Sequence, residues 1–208
     1  MCTASHNPKA YTGAKLVGEG ALALSGDSGI QEVRKYAQSD LPAPDPSIAG
    51  SVEQVDIHAE FREAALKFVD TDKISRSLKI VADGGNGMAG EMVGPIFDEL
   101  GIDVSAHYWV PNGEFPDHEP NPLLPENREF IMNKVVEEGA DLGIAWDGDA
   151  DRCFFIDDQG NFVDGDFLTA LLAESLLGKT PGSDILYDSR ASRAVADVVL
   201  VNGGYAIM

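Results

Sequence analysis

LKIVADGGNGMAGEMVGPIFDELG, residues 78–101, sets an apolar strand, a glycine-rich turn and an amphipathic helix in direct succession. Leu78–Ala82 is a short apolar run of the kind that fills a strand covered on both faces. The glycines break it into a loop, and a helix over Glu91–Leu100 follows. Downstream the alternation repeats. Val104–Val110 reads as a strand, and a loop rich in Pro, Asn and His follows it. Pro125 suits the first position of a helix that runs to about Glu138 and stops at Gly139. Leu142–Trp146 is a strand, Asp147–Arg152 a loop, and Cys153–Ile156 a strand that turns at Asp157–Gly160. A helix (Phe167–Leu177), a strand (Ile185–Tyr187), a helix (about Ser192–Val201) and a strand (Tyr205–Met208) complete the order. Such alternation builds βαβ units. The expected class is α/β: a three-layer α/β/α domain over residues 52–164 with a mainly parallel mixed sheet, flanked by partial domains of similar type.

Upstream the signals are weaker. Residues 1–27 are rich in Gly, Ala and Ser with little periodicity. Ser28 and Gln31 have the spacing of a capping box, and Ile30, Val33 and Ala37 share one helical face. Leu41–Pro46 holds three prolines and, with Gly50 and Ser51, reads as a linker. Ile57, Phe61, Ala64, Ala65 and Phe68 then mark an amphipathic helix. No internal repeat is evident.

Composition narrows the function. The chain has 208 residues, 44% of them hydrophobic, and a net charge of −20 from 15 basic and 35 acidic side chains. That charge disfavours nucleic acid and anionic membrane as partners, because phosphates reward Lys and Arg. No segment has the length and apolarity of a membrane span, and Met1–Lys15 lacks a signal-peptide core. Cys2 and Cys153 cannot build a disulfide framework, and four scattered histidines give no Cys/His zinc set. The expected location is cytoplasmic.

The sharpest chemical feature is Asp147-Gly148-Asp149-Ala150-Asp151-Arg152. Alternate side chains of an extended or turning loop share one side, so the three carboxylates can converge. Converging anions repel unless a cation sits among them, and oxygen ligands of this hardness suit Mg²⁺ or Ca²⁺. Asp147, Asp149, Asp151 and Asp158 match EF-hand positions one, three, five and twelve. The loop fails as an EF-hand, because Arg152 stands where glycine is needed and Cys153–Ile156 is an apolar strand. Three Asp and an Arg between strands fit Mg²⁺ beside a phosphate. The bland alternative is a solvated acidic turn.

Thr3-Ala4-Ser5-His6-Asn7-Pro8 clusters turn formers with a hydroxyl and an imidazole. Neighbouring side chains seldom face one another, so adjacency does not make Ser5 and His6 a dyad. On these residues alone a turn or cap is the simpler reading. Gly85-Asn86-Gly87-Met88-Ala89-Gly90 satisfies the dinucleotide-binding spacing after a strand. Asp83 would stand near a pyrophosphate, however, and no acidic residue ends the next strand, so a tight packed turn is preferred.

Together these motifs resemble the α-D-phosphohexomutase family. Thr3–Pro8 with Tyr11, Gly13 and Lys15 is similar to its phosphoserine loop, with Thr12 where relatives often carry Asn. Asp147–Arg152 is similar to its metal loop. Val81–Gly87 and Gly113–Pro122 resemble connecting segments in the same order. The resemblance implies a four-domain protein about twice this long. Residues 1–51 would then be the C-terminal part of domain 1, 52–164 domain 2, and 165–208 the N-terminal part of domain 3. It implies a phosphomannomutase or phosphoglucomutase activity in which a phosphoryl group on Ser5 moves between the 1- and 6-positions of a hexose phosphate through a bisphosphate. Ser5, Asp147, Asp149 and Asp151 would hold Mg²⁺. Lys15 and His6 would join Ser5 as catalytic residues, His6 mainly supporting the loop, while Arg152 and Lys15 would bind substrate. Hexose phosphate and its bisphosphate are the implied partners. Two other readings remain open here: a non-catalytic metal- or sugar-phosphate-binding remnant, and a nucleotide-cofactor enzyme built on Gly85–Gly90.

Overall fold

The computed structural model describes residues 1–41, 45, 47, 50–74 and 77–208, which leaves most of the expected Leu41–Pro46 linker outside the described residues. In chain order the elements are α1 (Ile30–Ala37), α2 (His58–Leu66), β1 (Lys79–Asp83), α3 (Ala89–Leu100), β2 (Asp103–His107), α4 (Pro125–Glu138), β3 (Leu142–Trp146), β4 (Cys153–Ile156), β5 (Phe162–Val163), α5 (Gly165–Lys179), β6 (Asp184–Leu186), α6 (Arg193–Val201) and β7 (Tyr205–Ile207).

Five strands form one sheet in the order β2-β1-β3-β4-β5. β1 pairs parallel with both β2 and β3, while β3–β4 and β4–β5 are antiparallel. Only β4 therefore runs against the others, which gives the expected mainly parallel mixed sheet. Alternation of side chains along β1 and β3 feeds two separate cores. Val81 and Ala145 point to one face and pack with Ile156 beneath Ile131 and Val135 of α4. Ile80, Ala82, Ile144 and Trp146 point to the other, with Ala89, Val93 and Phe97 of α3 and with Trp109. Helix, sheet and helix make three layers. Burial on both faces is why these strands read as unbroken apolar runs.

Boundaries follow local chemistry. Pro125 opens α4, and Gly139 closes it in the left-handed region at φ 59, where the Ala140 amide reaches back to the Val135 carbonyl. β2 ends at His107 rather than Val110, because Tyr108 turns out of extended geometry with φ 50. Residues 165–208 form a smaller unit in which β6 and β7 pair parallel and Ala170, Ala173 and Leu177 of α5 pack on Val195 and Val199 of α6.

Two expectations fail upstream. The capping box at Ser28 is not made. Gly29, at φ 118, stands between Ser28 and the helix, and the Ser28 hydroxyl turns back to the Ser25 amide and hydroxyl. Helix α2 forms, but its apolar stripe is not buried: Ile57, Phe61 and Phe68 are all exposed, and Arg62 instead pairs with Glu99 of α3 at 2.9 Å.

A net charge of −20 on this surface is self-repulsive. Raising KCl from about 0.1 M to about 1 M shortens the screening length from roughly 10 Å to roughly 3 Å. The thermal midpoint is expected to rise by about 3 °C or more, equivalent to ~1 kcal/mol at this size. A fall on calorimetry would mean that attractive ion pairs dominate the charge energetics.

Candidate functional site

The carboxyl ends of β1, β2 and β3 lie side by side, and the residues just beyond them form one cluster. Asp147 directly follows β3, and the Asp147 amide donates to the Arg152 carbonyl across a tight turn in which Ala150 takes φ 58. Asp147 is fully buried. Its Oδ1 accepts the Arg152 amide at 3.1 Å, and its Oδ2 accepts Arg152 Nε at 2.9 Å and the Ser5 hydroxyl at 3.0 Å. A buried carboxylate is tolerated because a guanidinium fork and a hydroxyl replace its water.

Asp147, Asp149 and Asp151 converge, with one oxygen of each within 4.8 Å of the others. Lys15, 134 residues from Asp149 in sequence, places its ammonium on Asp149 Oδ2 at 2.7 Å and also bonds Asp151. Thr3 Oγ1 donates to Asp149 Oδ2 at 3.0 Å while accepting the Ser5 amide at 2.8 Å. Hydrogen bonds that Lys15 donates to Asp149 and Asp151 raise its pKa above the ordinary 10.5. Burial works to raise the Asp149 carboxyl, but the bonds from Lys15 and Thr3 outweigh it and hold the group below the usual carboxylate range.

The donor set suits a hard divalent cation. Three carboxylates converge, a lysine ammonium is already drawn onto two of them, and Asp149 Oδ1 is buried with no hydrogen-bond partner among the described residues. A buried oxygen without a hydrogen-bond partner, on one of three converging carboxylates, is the feature that a Mg²⁺ ion would satisfy. The EF-hand alternative is excluded by structure as by sequence, since β4 begins at Cys153.

Ser5 sits at φ 57, a strained conformation for a residue with a side chain. This turn overturns the expectation from adjacency, because it brings His6 Nδ1 to 3.3 Å from Ser5 Oγ. Arg152 Nη2 donates to Ser5 Oγ at 2.9 Å and also meets His6 Nδ1. All seven residues singled out for the site (Ser5, His6, Lys15, Asp147, Asp149, Asp151 and Arg152) are thus assembled in one place. Sequence reasoning missed Thr3 as a link between the loops; its position in a turn-forming hexapeptide gave no sign of a partner 146 residues away.

Glycines let the loops approach. A Cβ on Gly148 would come within 2.4 Å of the Ser5 carbonyl oxygen, and one on Gly13 within 2.6 Å of the Thr3 carbonyl oxygen. The dinucleotide-like glycines are used the same way. A Cβ on Gly87 would meet the Gly148 oxygen at 2.5 Å, and one on Gly90 the Trp109 oxygen at 2.0 Å. Backbone of neighbouring loops packs directly against Gly87 and Gly90, in keeping with the tight packed turn preferred from the sequence. A cavity of about 300 Å³ opens beside Ser5 and Asp149, lined also by Tyr11, Met88 and Phe115. Among the described residues no helix is long and apolar enough to cross a membrane.

A family model described as Phosphoglucomutase/phosphomannomutase, alpha/beta/alpha domain II matches residues 59–160. A phosphomannomutase of Escherichia coli is 40% identical over 213 aligned residues, covering 99% of this chain and 46% of the relative. A protein named for phosphohexose mutases in Xanthomonas campestris pv. campestris is 40% identical over 208 residues, covering 100% of this chain and 46% of the relative. The chain spans about half the length of the curated relatives it matches. A crystal structure of a phosphoglucomutase/phosphomannomutase family protein from Burkholderia thailandensis superposes with a TM-score of 0.86 at 33% identity, over 100% of this chain and 43% of that one. Whole-chain similarity at this level, carried on the fold and loops described above, makes the chain a member of the α-D-phosphohexomutase family.

Proposed function

We propose that this chain is part of a phosphohexomutase that interconverts hexose 1-phosphate and hexose 6-phosphate through a phosphoserine at Ser5 and a bisphosphate intermediate. On this reading residues 1–51 and 165–208 belong to the domains on either side of domain 2. The observation that carries it is the Ser5 hydroxyl, held on buried Asp147 by a bond across 142 residues, beside a carboxylate triad with an unpartnered oxygen.

Each residue has a role consistent with its setting. In the forward step the bond from phosphorus to Ser5 Oγ breaks as phosphorus bonds a sugar hydroxyl oxygen. The hydroxyl proton leaves the sugar, and Ser5 Oγ regains one. The reverse transfer, from the other end of the bisphosphate, restores phosphoserine. Such transfers depend on positioning and charge more than on covalent chemistry. Arg152 supplies the fork that orients oxygens at Ser5. His6 supports the loop through Nδ1. Lys15, drawn between Asp149 and Asp151, is an ammonium and therefore a proton donor at Nζ; it acts as a base only when released from those carboxylates. Asp147, Asp149, Asp151 and Ser5 would hold Mg²⁺, which when bound neutralises charge on the transferring phosphoryl group. The cavity beside Ser5 and Asp149 gives a sugar phosphate its approach, and cytoplasmic sugar metabolism is the setting this chemistry suits.

Three experiments test this reading. Phosphopeptide mass spectrometry of the purified chain should find phosphate on Ser5 and lose it in Ser5→Ala; phosphate on another residue would redirect the assignment. In a chain of the relatives' full length, Asp149→Asn should lower Mg²⁺-dependent mutase turnover by at least about a hundredfold, and undiminished turnover would sink the metal assignment. Gly148→Ala drives a Cβ into the Ser5 carbonyl. It should cost about 2 kcal/mol in urea unfolding and abolish Ser5 phosphorylation, whereas Gly113→Ala, with open space around it, should be silent in both assays.

A further inference from the structure

The acidic loop is held at Gly148 from three directions. A Gly148 Cβ would meet the Ser5 carbonyl oxygen at 2.4 Å and Pro120 Cγ at 3.3 Å. The Gly148 carbonyl accepts the Met88 amide at 3.0 Å, beneath the close approach of Gly87. Two of these supports, the glycine turn and the Pro120 loop, are separate stretches of chain, and one pair of side chains ties them together. Asp83, buried at the end of β1, accepts the Gly85 amide at 2.9 Å. The same carboxylate meets His118 Nε2 at 3.0 Å and 3.2 Å. His118 Nδ1 lies 2.9 Å from the carbonyl oxygen of Glu119, the residue before Pro120.

Both ring nitrogens of His118 thus face oxygens that can only accept, and only an imidazolium carries a proton on each. The groups facing the ring are Asp83 from β1, the Tyr108 ring edge-on at 5.3 Å from the segment after β2, and Asp117 on its own loop. Burial works to lower the His118 pKa, but the Asp83 carboxylate, the Glu119 carbonyl and the Asp117 charge raise it above its ordinary 6.5.

We propose that the His118–Asp83 ion pair is a positioning device for the acidic loop: protonated His118 draws the Pro120 loop and the glycine turn together around Gly148 and so keeps Asp147, Asp149 and Asp151 trained on one point. This rests on the metal reading given above only for its consequence, not for its geometry. His118 touches neither the triad nor Ser5. When it loses its proton, one nitrogen faces an oxygen with no hydrogen between them, one of the two contacts opens, and the cradle loosens. The direction is diagnostic. Proton competition at carboxylates, or release of Lys15, makes cation binding tighten or stay level as pH rises. Loosening of the His118 pair makes it weaken.

The test follows the metal-free chain by NMR from pH about 5.5 to about 9, across the histidine range, in wild type and His118→Gln. The His118 ring should remain an imidazolium above its ordinary pKa, and the Gly148 and Met88 amide resonances should shift with the His118 midpoint. That transition should vanish in His118→Gln. In calorimetry wild-type Mg²⁺ affinity should fall on the order of tenfold across the same transition, and the variant's should not. A Gly148 amide with no transition at the His118 midpoint, or one that persists in His118→Gln, overturns the proposal. Should His118→Gln not fold, Asp83→Asn removes the charge at constant shape; the His118 and Gly148 midpoints should drop together, and midpoints that separate overturn it equally. Failure of the metal reading has a different signature, an absence of Mg²⁺ heat in wild type, and the metal-free NMR transition still decides the role of His118.

Discussion

A carboxylate without contact with water costs several kcal/mol unless other groups replace its hydration, and the arrangement around Asp147 is the solution to that cost. β3 is the central strand of its sheet and is covered on both faces, so the residue at its carboxyl end inherits the burial of the strand. Asp147 therefore needs partners that come to it. Arg152 folds back across the turn to supply three of them, from its amide, Nε and Nη2, and the Ser5 loop, far off in sequence, supplies the fourth. The Ser5 hydroxyl and the buried charge are thus parts of one hydrogen-bond set. In open α/β sheets ligand sites gather beyond the carboxyl ends of parallel strands. Here β1 contributes Asp83 and the glycine turn, and β3 contributes the acidic loop, from the same edge.

Close approach of backbones, rather than side-chain packing, fixes how these loops meet. Gly13 admits Thr3, Gly148 admits Ser5, and Gly87 admits Gly148, each at a separation no Cβ would tolerate. Contacts of this kind are short and stiff, so a small displacement of one strand is passed directly to the next. Two non-glycine residues at positive φ in the facing loops, Ser5 and Ala150, are held there by the same set of contacts. Strain of about 1–3 kcal/mol at each is sustained because Asp147, Thr3 and the glycines over-determine the path of the chain.

How legible this was in the sequence depends on the range of the interaction. Periodicity and helix stops located α4, β3 and β4 almost to the residue, because Pro125, Gly139 and the apolar alternation of Leu142–Trp146 are local signals. The triad was equally legible, since three Asp at alternate positions must converge or repel. The Ser5 loop became meaningful only through its resemblance to a family motif; its partners lie more than 130 residues away, and nothing local in Thr3 or Lys15 announces them. The stripe of Ile57, Phe61 and Phe68 misled for the converse reason. Periodicity reports that a face is apolar, not that something covers it, and here it stays open to solvent. At Ser28 the spacing of a cap was present, but one left-handed glycine put the side chain out of reach.

Charge around Ser5 carries the last step. The triad contributes three formal negative charges and Lys15 and Arg152 two positive ones, so these residues leave the site at minus one. A phosphoryl group brings roughly −1.5 to −2 more, and in a partly buried cluster like charges are costly. The protein side chains alone therefore repel the group that Ser5 is proposed to carry. A divalent cation in the triad reverses the sign to plus one and turns repulsion into attraction. It also gives the buried Asp149 Oδ1 the partner it lacks. On the proposed function the two needs, a partner for an orphaned oxygen and a countercharge for a phosphate, would be met by the same ion. On this balance cation binding and phosphoryl binding would be coupled, each strengthening the other, so that a chain whose overall charge is −20 could still present a local site that receives an anion.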